Sequence, residues 1–233
     1  MPRLAHEFVV SVVIPAFNAE RYLAAAVESV LAQTYPASEI IIVDDGSTDR
    51  TAGIAEQFGG PVISHRRAHS GIAATRNFGV RVAGGSWLAF LDADDLWVRE
   101  KLERQITAAR QTAALEIIFG GTEQFVSPEL DSEAQARLTA PVAVSAAPHA
   151  GTMLARREVF ARVGPFDEAL KIGEFIDWFA RAGDLGLQIT TLPEIILHRR
   201  RHLTNTTLKN SLTDLAMVMK RVLDRRRQTI SAP

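Results

Sequence analysis

Four apolar, β-branched runs alternate with stretches of helical spacing through the first half of the chain. Residues 8–14 are Phe, Val and Ile with one Ser, up to Pro15, and runs at 39–43, 61–64 and 86–91 repeat the pattern. Near-continuous apolarity, without polar alternation, predicts strands buried on both faces of a parallel sheet. Between the strands, 19–33, about 49–58 and 70–83 read as helices, and 98–112 follows the fourth strand as another. In the first helix Tyr22, Leu23, Ala26, Val27, Val30 and Leu31 form one stripe. Ser47 or Thr48 can cap the second helix, and Gly84-Gly85 ends the third. The regular β-α alternation predicts an α/β fold with a right-handed, doubly wound, mostly parallel sheet and helices on both faces.

The second half is less regular. Strands are expected at 115–119, 152–155, 188–192 and 195–198, and helices at 156–163 and 174–182. Residues 127–148, rich in Ser, Ala, Pro and Glu, read as a long loop or weak helix, a type of segment that often shapes a binding site. The chain closes on an amphipathic helix at 211–227, with Leu212, Leu215, Met219, Val222 and Leu223 on one side and Lys220, Arg221, Arg225, Arg226 and Arg227 beside them. Such a helix can pack on its own domain, on a twin subunit in a homodimer, or peripherally on an anionic membrane. There is no internal repeat and no clean linker. The expected division is a domain at 1–205, with halves at about 8–112 and 113–205, and a C-terminal helix and tail at 206–233.

Composition narrows the function classes. With 233 residues, 47% apolar, the chain can bury a sizeable core. A formal net charge of -1 gives no general attraction to nucleic acid. The absence of cysteine excludes disulfides and thiolate metal sites. The N-terminus lacks the apolar core of a signal peptide, and no stretch approaches the roughly 20 apolar residues of a membrane span. These features predict a cytoplasmic protein, with peripheral membrane contact left to the C-terminal helix.

Candidate chemistry sits at strand ends, where open α/β sheets bind ligands. Asn18 follows the first strand, Asp44 and Asp45 the second, and Asp92, Asp94 and Asp95 the fourth. Three carboxylates within four positions repel one another unless a cation joins them, and Mg²⁺ or Mn²⁺ takes such oxygen ligands. The alternative is an acidic turn capping the next helix. Asp49 reads as a helix-start charge rather than a ligand.

The segments Val12-Val13-Ile14-Pro15-Ala16-Phe17-Asn18, Val43-Asp44-Asp45-Gly46-Ser47-Thr48-Asp49, Ala74-Thr75-Arg76-Asn77 and Leu91-Asp92-Ala93-Asp94-Asp95 resemble, in order and spacing, the family 2 glycosyltransferases of GT-A fold. The resemblance continues through Val163-Gly164-Pro165-Phe166-Asp167-Glu168 and spans about 8–205. It implies a metal-dependent, inverting hexosyltransferase that takes a nucleotide-diphosphate sugar, most commonly UDP-linked, as donor. It places Pro15, Ala16, Phe17, Asn18 and Glu20 along the nucleotide, Asp45 on the base, and Arg76 near the base and phosphates. Asp92 and Ala93 would lie at the ribose and Asp94 on Mn²⁺ or Mg²⁺ in the family's DxD motif, with Asp92 and His202 close to the metal and Asp95 orienting it or the sugar. The acceptor, whether glycan, lipid-linked sugar or peptide, is not specified by these motifs. A nucleotidyltransferase would carry a Gly-rich basic loop after the first strand, and a dehydrogenase a G-x-G-x-x-G there; Pro15-Ala16-Phe17-Asn18 is neither.

One departure stands out. The family's Glu-Asp pair, followed by Arg six residues after the Asp, aligns Glu174 with the Glu, Arg181 with the Arg, and Phe175 with the catalytic Asp. Glu174 and Asp177 are then the candidate bases, on one helix face, with Phe175 and Trp178 raising a carboxyl pKa. An Asp177–Arg181 ion pair is the structural alternative for Asp177. A donor-binding subunit or scaffold with little turnover is the alternative for the whole chain. The run His198-Arg199-Arg200-Arg201-His202 can hold phosphate oxygens or form a solvated basic turn.

Overall fold

A computed structural model describes residues 8–138, 144–205 and 212–230. The expectations for the chain start, for 139–143 within the long segment, for 206–211 and for the last three residues lie outside the described residues.

The first half follows the expected order. Strands β1 (Val10–Ala16), β2 (Glu39–Asp44), β3 (Val62–Arg66) and β4 (Trp87–Phe90) alternate with helices α1 (Leu23–Leu31), α2 (Thr51–Ala55) and α3 (Ile72–Val82). A two-residue strand β5 (Leu96–Trp97), absent from the sequence reading, precedes α4 (Lys101–Gln111). The second half adds β6 (Ile117–Val126), α5 (Ser132–Leu138), a 3-10 turn (Ala150–Thr152), β7 (Leu154–Arg156), α6 (Arg157–Val163), α7 (Glu174–Asp184), β8 (Ile189–Arg201) and α8 (Leu212–Ile230).

All eight strands form one sheet in the order β3-β2-β1-β4-β7-β6-β8-β5. The pairs among β3, β2, β1 and β4 are parallel, as is β6 with β8. β7 runs antiparallel between β4 and β6, and β5 antiparallel beside β8. The two sequence halves therefore share one sheet. Period-2 alternation splits its side chains between two cores. Val10, Val12, Ile14, Ile40 and Ile42 face Leu23 and Val27 of α1 and Leu102 and Ile106 of α4. Val13, Ile41, Leu88 and Phe90 face Ala73 of α3, Phe160 of α6 and Trp178 of α7.

Two elements differ from the sequence reading for backbone reasons. Pro15 was expected to stop β1 but lies inside it. Val13 O accepts from Leu91 N toward β4, and Ala16 O accepts from Asp45 N toward β2. Pro15 shares Val13's direction, so its ring nitrogen faces a side where the β4 ladder has ended, and no bond is lost. Separate strands are expected at 188–192 and 195–198, on either side of Pro193. The structure keeps one strand, β8, and absorbs the irregularity as register shifts opposite Gly120 and Gly121, which leave room for Ile196 and the Glu194 carbonyl.

The C-terminal helix also departs from expectation. Among its described side chains Val218 and Val222 are buried, whereas Met217, Met219 and Leu223 are exposed. The side chains of Leu212 and Leu215 lie outside the described set. Its arginines are paired within the chain: Arg221 with Asp167, Arg225 with Asp177 and Asp184, and Arg226 with Asp184. The basic side thus turns toward α7, which weakens the electrostatic case for a membrane surface. Among the described residues, no helix is long and apolar enough to cross a membrane.

Gly46, just after β2, has φ of 75°, and a Cβ there would come 2.8 Å from the backbone nitrogen of His69. Gly46→Ala is expected to destabilise the protein by about 1–3 kcal/mol through left-handed strain and a backbone clash. Urea unfolding checks this as a lower midpoint with an unchanged slope.

Candidate active site

β1, β2 and β4 are adjacent and parallel, so the loops after them emerge side by side. This brings Asn18, Asp45 and the Asp92–Asp95 cluster to one edge, as expected for a crevice at the carboxyl ends.

The nucleotide-side residues are tied mainly to one another. Pro15 and Ala16 are buried strand residues, and Ala93 is only 6% exposed. Phe17 is exposed and stacks on the His69 ring at 4.3 Å. Asn18 adopts φ of 48°, a left-handed geometry that Asn tolerates, and its Oδ1 accepts from Thr48 N at 2.9 Å. Glu20 was expected along the nucleotide; its carboxylate accepts instead from Arg50 N and Nε. Asp49 Oδ1 accepts from Thr51 N and Oγ1, which confirms a helix-start role. Burial would raise its pKa, but these bonds hold it below the usual value. Asp45 was expected on the base. It is buried and accepts from Ser70 N, Ser70 Oγ and Gly71 N at the start of α3, and His69 Nδ1 lies 2.9 Å from Oδ2. Its first task is to fix that loop.

The acid cluster is bound to the second half. Arg76, 4% exposed, donates through Nη2 to Asp92 Oδ1 at 2.6 Å and through Nη1 to Glu174 Oε1. Burial opposes its charge, yet Asp92 and Glu174 together raise its pKa further. Burial likewise pushes Asp92 up, and Arg76 more than compensates, so Asp92 is held as an anion. Asp94 Oδ2 lies 3.0 Å from His202 Nε2 and accepts from Asn205 Nδ2 at 3.2 Å. The His202 ring also packs on Tyr22, with centroids 4.7 Å apart. Asp95, 2% exposed, accepts from Arg200 N; burial and then its neighbours Asp94 and Asp92 raise its pKa well above the usual carboxyl value.

Arg200 corrects one expectation. It does not present its charge to a phosphate. It is 8% exposed, donates through Nε to Asp94 O and through Nη1 to Ser127 Oγ, and sits between the rings of Tyr22 and Phe125 at 4.8 and 4.7 Å. It braces the acidic turn against β6 and β8.

The two candidate bases part company. Glu174 reaches the cluster through Arg76. Asp177 does not: it accepts from Arg181 Nε at 2.9 Å and from Arg225 Nη1 at 2.7 Å. Burial would raise its pKa, but the bonds from Arg225 and Arg181 and their charges lower it overall, against the expected rise. It anchors α8 to α7. Phe175, at the expected base position, is buried in a cluster with Phe119 and Phe179.

His149 and its turn were missed by the sequence reading. β7 runs antiparallel to β4, with Ala89 opposite Leu154, so the residues before β7 lie beside those after β4. His149 stands there, with Asp92, Arg199, Arg76 and Asp94 as its charged neighbours. Burial lowers its pKa to about 4 against the upward pull of Asp92, so it is neutral near pH 7. Trp97 Nε1 donates to Gly151 O, and Gln105 Nε2 to Thr152 O and Ile118 O, which fixes the turn. The available signal was the topology: a strand entering antiparallel beside β4 must begin at the site.

The fold and the acid-bearing crevice define a GT-A-type α/β domain. The family model "Glycosyl transferase family 2" matches residues 11–162, and the chain belongs to that family. It is 31% identical over 182 residues to an uncharacterized glycosyltransferase of Rickettsia typhi, covering 73% of this chain and 57% of that protein. It is 38% identical over 103 residues to the UDP-Glc:alpha-D-GlcNAc-diphosphoundecaprenol beta-1,3-glucosyltransferase WfgD of Escherichia coli, covering 43% of this chain and 41% of that protein. The chain therefore spans little more than half, or less, of these relatives' length. In fold it resembles S. aureus TarS 1–349 in complex with UDP-GlcNAc, with a TM-score of 0.73 at 19% identity, covering 92% of this chain and 65% of that one.

Asp177→Asn is expected to loosen α8 and lower stability by about 1–3 kcal/mol at pH 7. A carboxylate with a depressed folded pKa contributes fully above its unfolded value of 3.8 and loses that contribution as pH falls through the lower folded value. Tm measured from pH 7 to pH 3 should show the gap between wild type and variant closing only below about pH 4.

Proposed function

We propose that this chain transfers a sugar from a nucleotide-diphosphate donor, UDP-linked, to an acceptor hydroxyl with inversion. The observation that carries the reading is the pair of half-exposed aspartates after β4. Their side chains are 29% and 30% exposed, while Arg76, His202 and Asn205 fix their orientation from behind. The donor class is supported by the UDP-Glc-dependent activity named for WfgD and by the UDP-GlcNAc bound to TarS.

The residues present fit a hard divalent ion. Among the described residues no three His, Cys, Asp or Glu side chains gather into a metal cage. A Mg²⁺ or Mn²⁺ ion is commonly held by one or two carboxylates, with substrate phosphates and water filling the other positions. Asp94 and Asp92 would hold it. When bound, the ion neutralises the diphosphate and makes it a better leaving group. His202 serves that ligand set indirectly. Its Nε2 is directed at Asp94 and its Nδ1 at Thr204 Oγ1, so it orients the carboxylate rather than offering a free lone pair.

Glu174 is the acceptor-side carboxylate that reaches the cluster. Arg76 joins it to Asp92, so the donor-side and acceptor-side walls are fixed relative to one another. Glu174 is thereby the base candidate that remains, and Asp177 is a structural residue. A second reading, a donor-binding subunit with little turnover, is favoured by Phe175, whose ring is buried where the family places its carboxylate.

Two measurements test these readings. With Mn²⁺ and UDP-sugars, Asp94→Ala should lose about 100-fold or more in turnover and the metal-dependent part of donor affinity; unchanged affinity overturns the metal-assisted reading. Release of UDP by the wild type, on acceptor or water, separates an enzyme from a scaffold. If Glu174→Gln retains full transfer, the base lies elsewhere.

A further inference from the structure

His149 is a buried-side imidazole that neither the family motifs nor the proposed reaction uses. Its Nδ1 accepts from Gly151 N–H at 3.0 Å, and its own carbonyl accepts from Thr152 N and Oγ1. A ring nitrogen that accepts cannot carry the proton, so the neutral ring is fixed as the Nε2–H tautomer. Among the described residues, that N–H has no hydrogen-bond partner. His149 as a whole residue is half-buried.

Its position says which part of a ligand it would meet. The nucleotide-side residues come from the loops after β1 and β2, one and two strands away from β4. His149 comes from the other direction, ahead of β7, across β4 from those loops. Asp92 and Asp94 lie between. A donor molecule extended along this edge, with its nucleoside over β1 and β2 and its diphosphate at the aspartates, carries its sugar onto the β7 side. A cation held by Asp92 and Asp94 would meet the phosphates. A neutral N–H suits a sugar hydroxyl, where a single well-placed donor discriminates strongly because the hydrogen bond is either made or lost.

We infer that His149 Nε2–H donates to a hydroxyl of the transferred sugar, so that this residue is a determinant of which nucleotide sugar the protein accepts. The mounting of the turn fits this role. Trp97 and Gln105 clamp Gly151 and Thr152 from β5 and α4, so the imidazole is held on rigid elements rather than on a free loop. The inference rests on the donor reading given above.

Isothermal titration with Mn²⁺ present tests it, using UDP, UDP-glucose, UDP-galactose and UDP-GlcNAc on the wild type, His149→Ala and His149→Gln. For wild type, the preferred UDP-sugar should bind tighter than UDP. In His149→Ala, UDP affinity should stay within about twofold, while the preferred sugar loses about tenfold and its margin over its epimers shrinks. His149→Gln, which can place an N–H near the same point, should recover part of that margin. Thermal melts of both variants show whether the turn is intact. If His149→Ala is folded and keeps the wild-type margin between sugars, or if UDP weakens as much as the sugars do, the inference is overturned. If the wild type binds none of the four ligands, the donor reading itself fails, which is a distinct result.

Discussion

Arg76 brings a positive charge into a place that is 4% exposed and meets it there with two carboxylates from opposite halves of the chain. A buried charge is tolerable only when it is paired and hydrogen-bonded. Asp92 comes from the turn after β4 and Glu174 from the first residue of α7. The pairing with Glu174 forms only where α7 packs over the sheet. The ion triad thus ties the second half to the first at the point where the candidate chemistry sits. It also orients Asp92 and keeps it ionised. Its Nε remains buried without a partner among the described residues, which marks the triad as a compromise between anchoring and full satisfaction.

A second arginine does comparable work on the other side of the acidic turn. Arg200 bonds the Asp94 carbonyl and, through its own amide, the Asp95 carboxylate, while Tyr22 and Phe125 flank its guanidinium. Together Arg76 and Arg200 hold three adjacent carboxylates in a turn that their mutual repulsion would otherwise open. Asp95 bears the cost as a raised pKa, being buried beside two like charges. Asp92 and Asp94 are left partly exposed and oriented. This division of labour, one acid inside and two at the surface, suits a turn that binds a cation on its outer side.

Helix α7 shows how one short segment serves three purposes. Glu174 points to the cluster, Phe175 and Trp178 pack into the core, and Asp177 with Arg181 receives α8. Sequence spacing placed Glu174 and Asp177 on one face, which is correct for an i,i+3 pair. It could not tell that their partners differ. The lowered pKa of Asp177 follows from the two arginines that reach it, one of them 48 residues away in sequence. The basic residues of the last helix were legible, but their use as internal ion-pair partners was not.

The chain's own order of residues determined the alternating architecture, the places of the first four strands and the acid-bearing edge. Those features follow from local periodicity and from the fact that parallel strands place their carboxyl ends together. The family resemblance, laid on this order of residues, also exposed the missing carboxylate at Phe175. Tertiary structure decided the rest. The continuity of β8 through Pro193 depends on its bulging outward opposite Gly120 and Gly121 of β6. The tasks of Glu20, Asp45 and Asp177 depend on Arg50, Ser70 and Arg225, donors from other elements. The entry of His149 into the site depends on β7 running antiparallel beside β4. Charge and hydrogen-bond partners are chosen by proximity in space, and a polar residue's type states what it can bond, not which group will reach it.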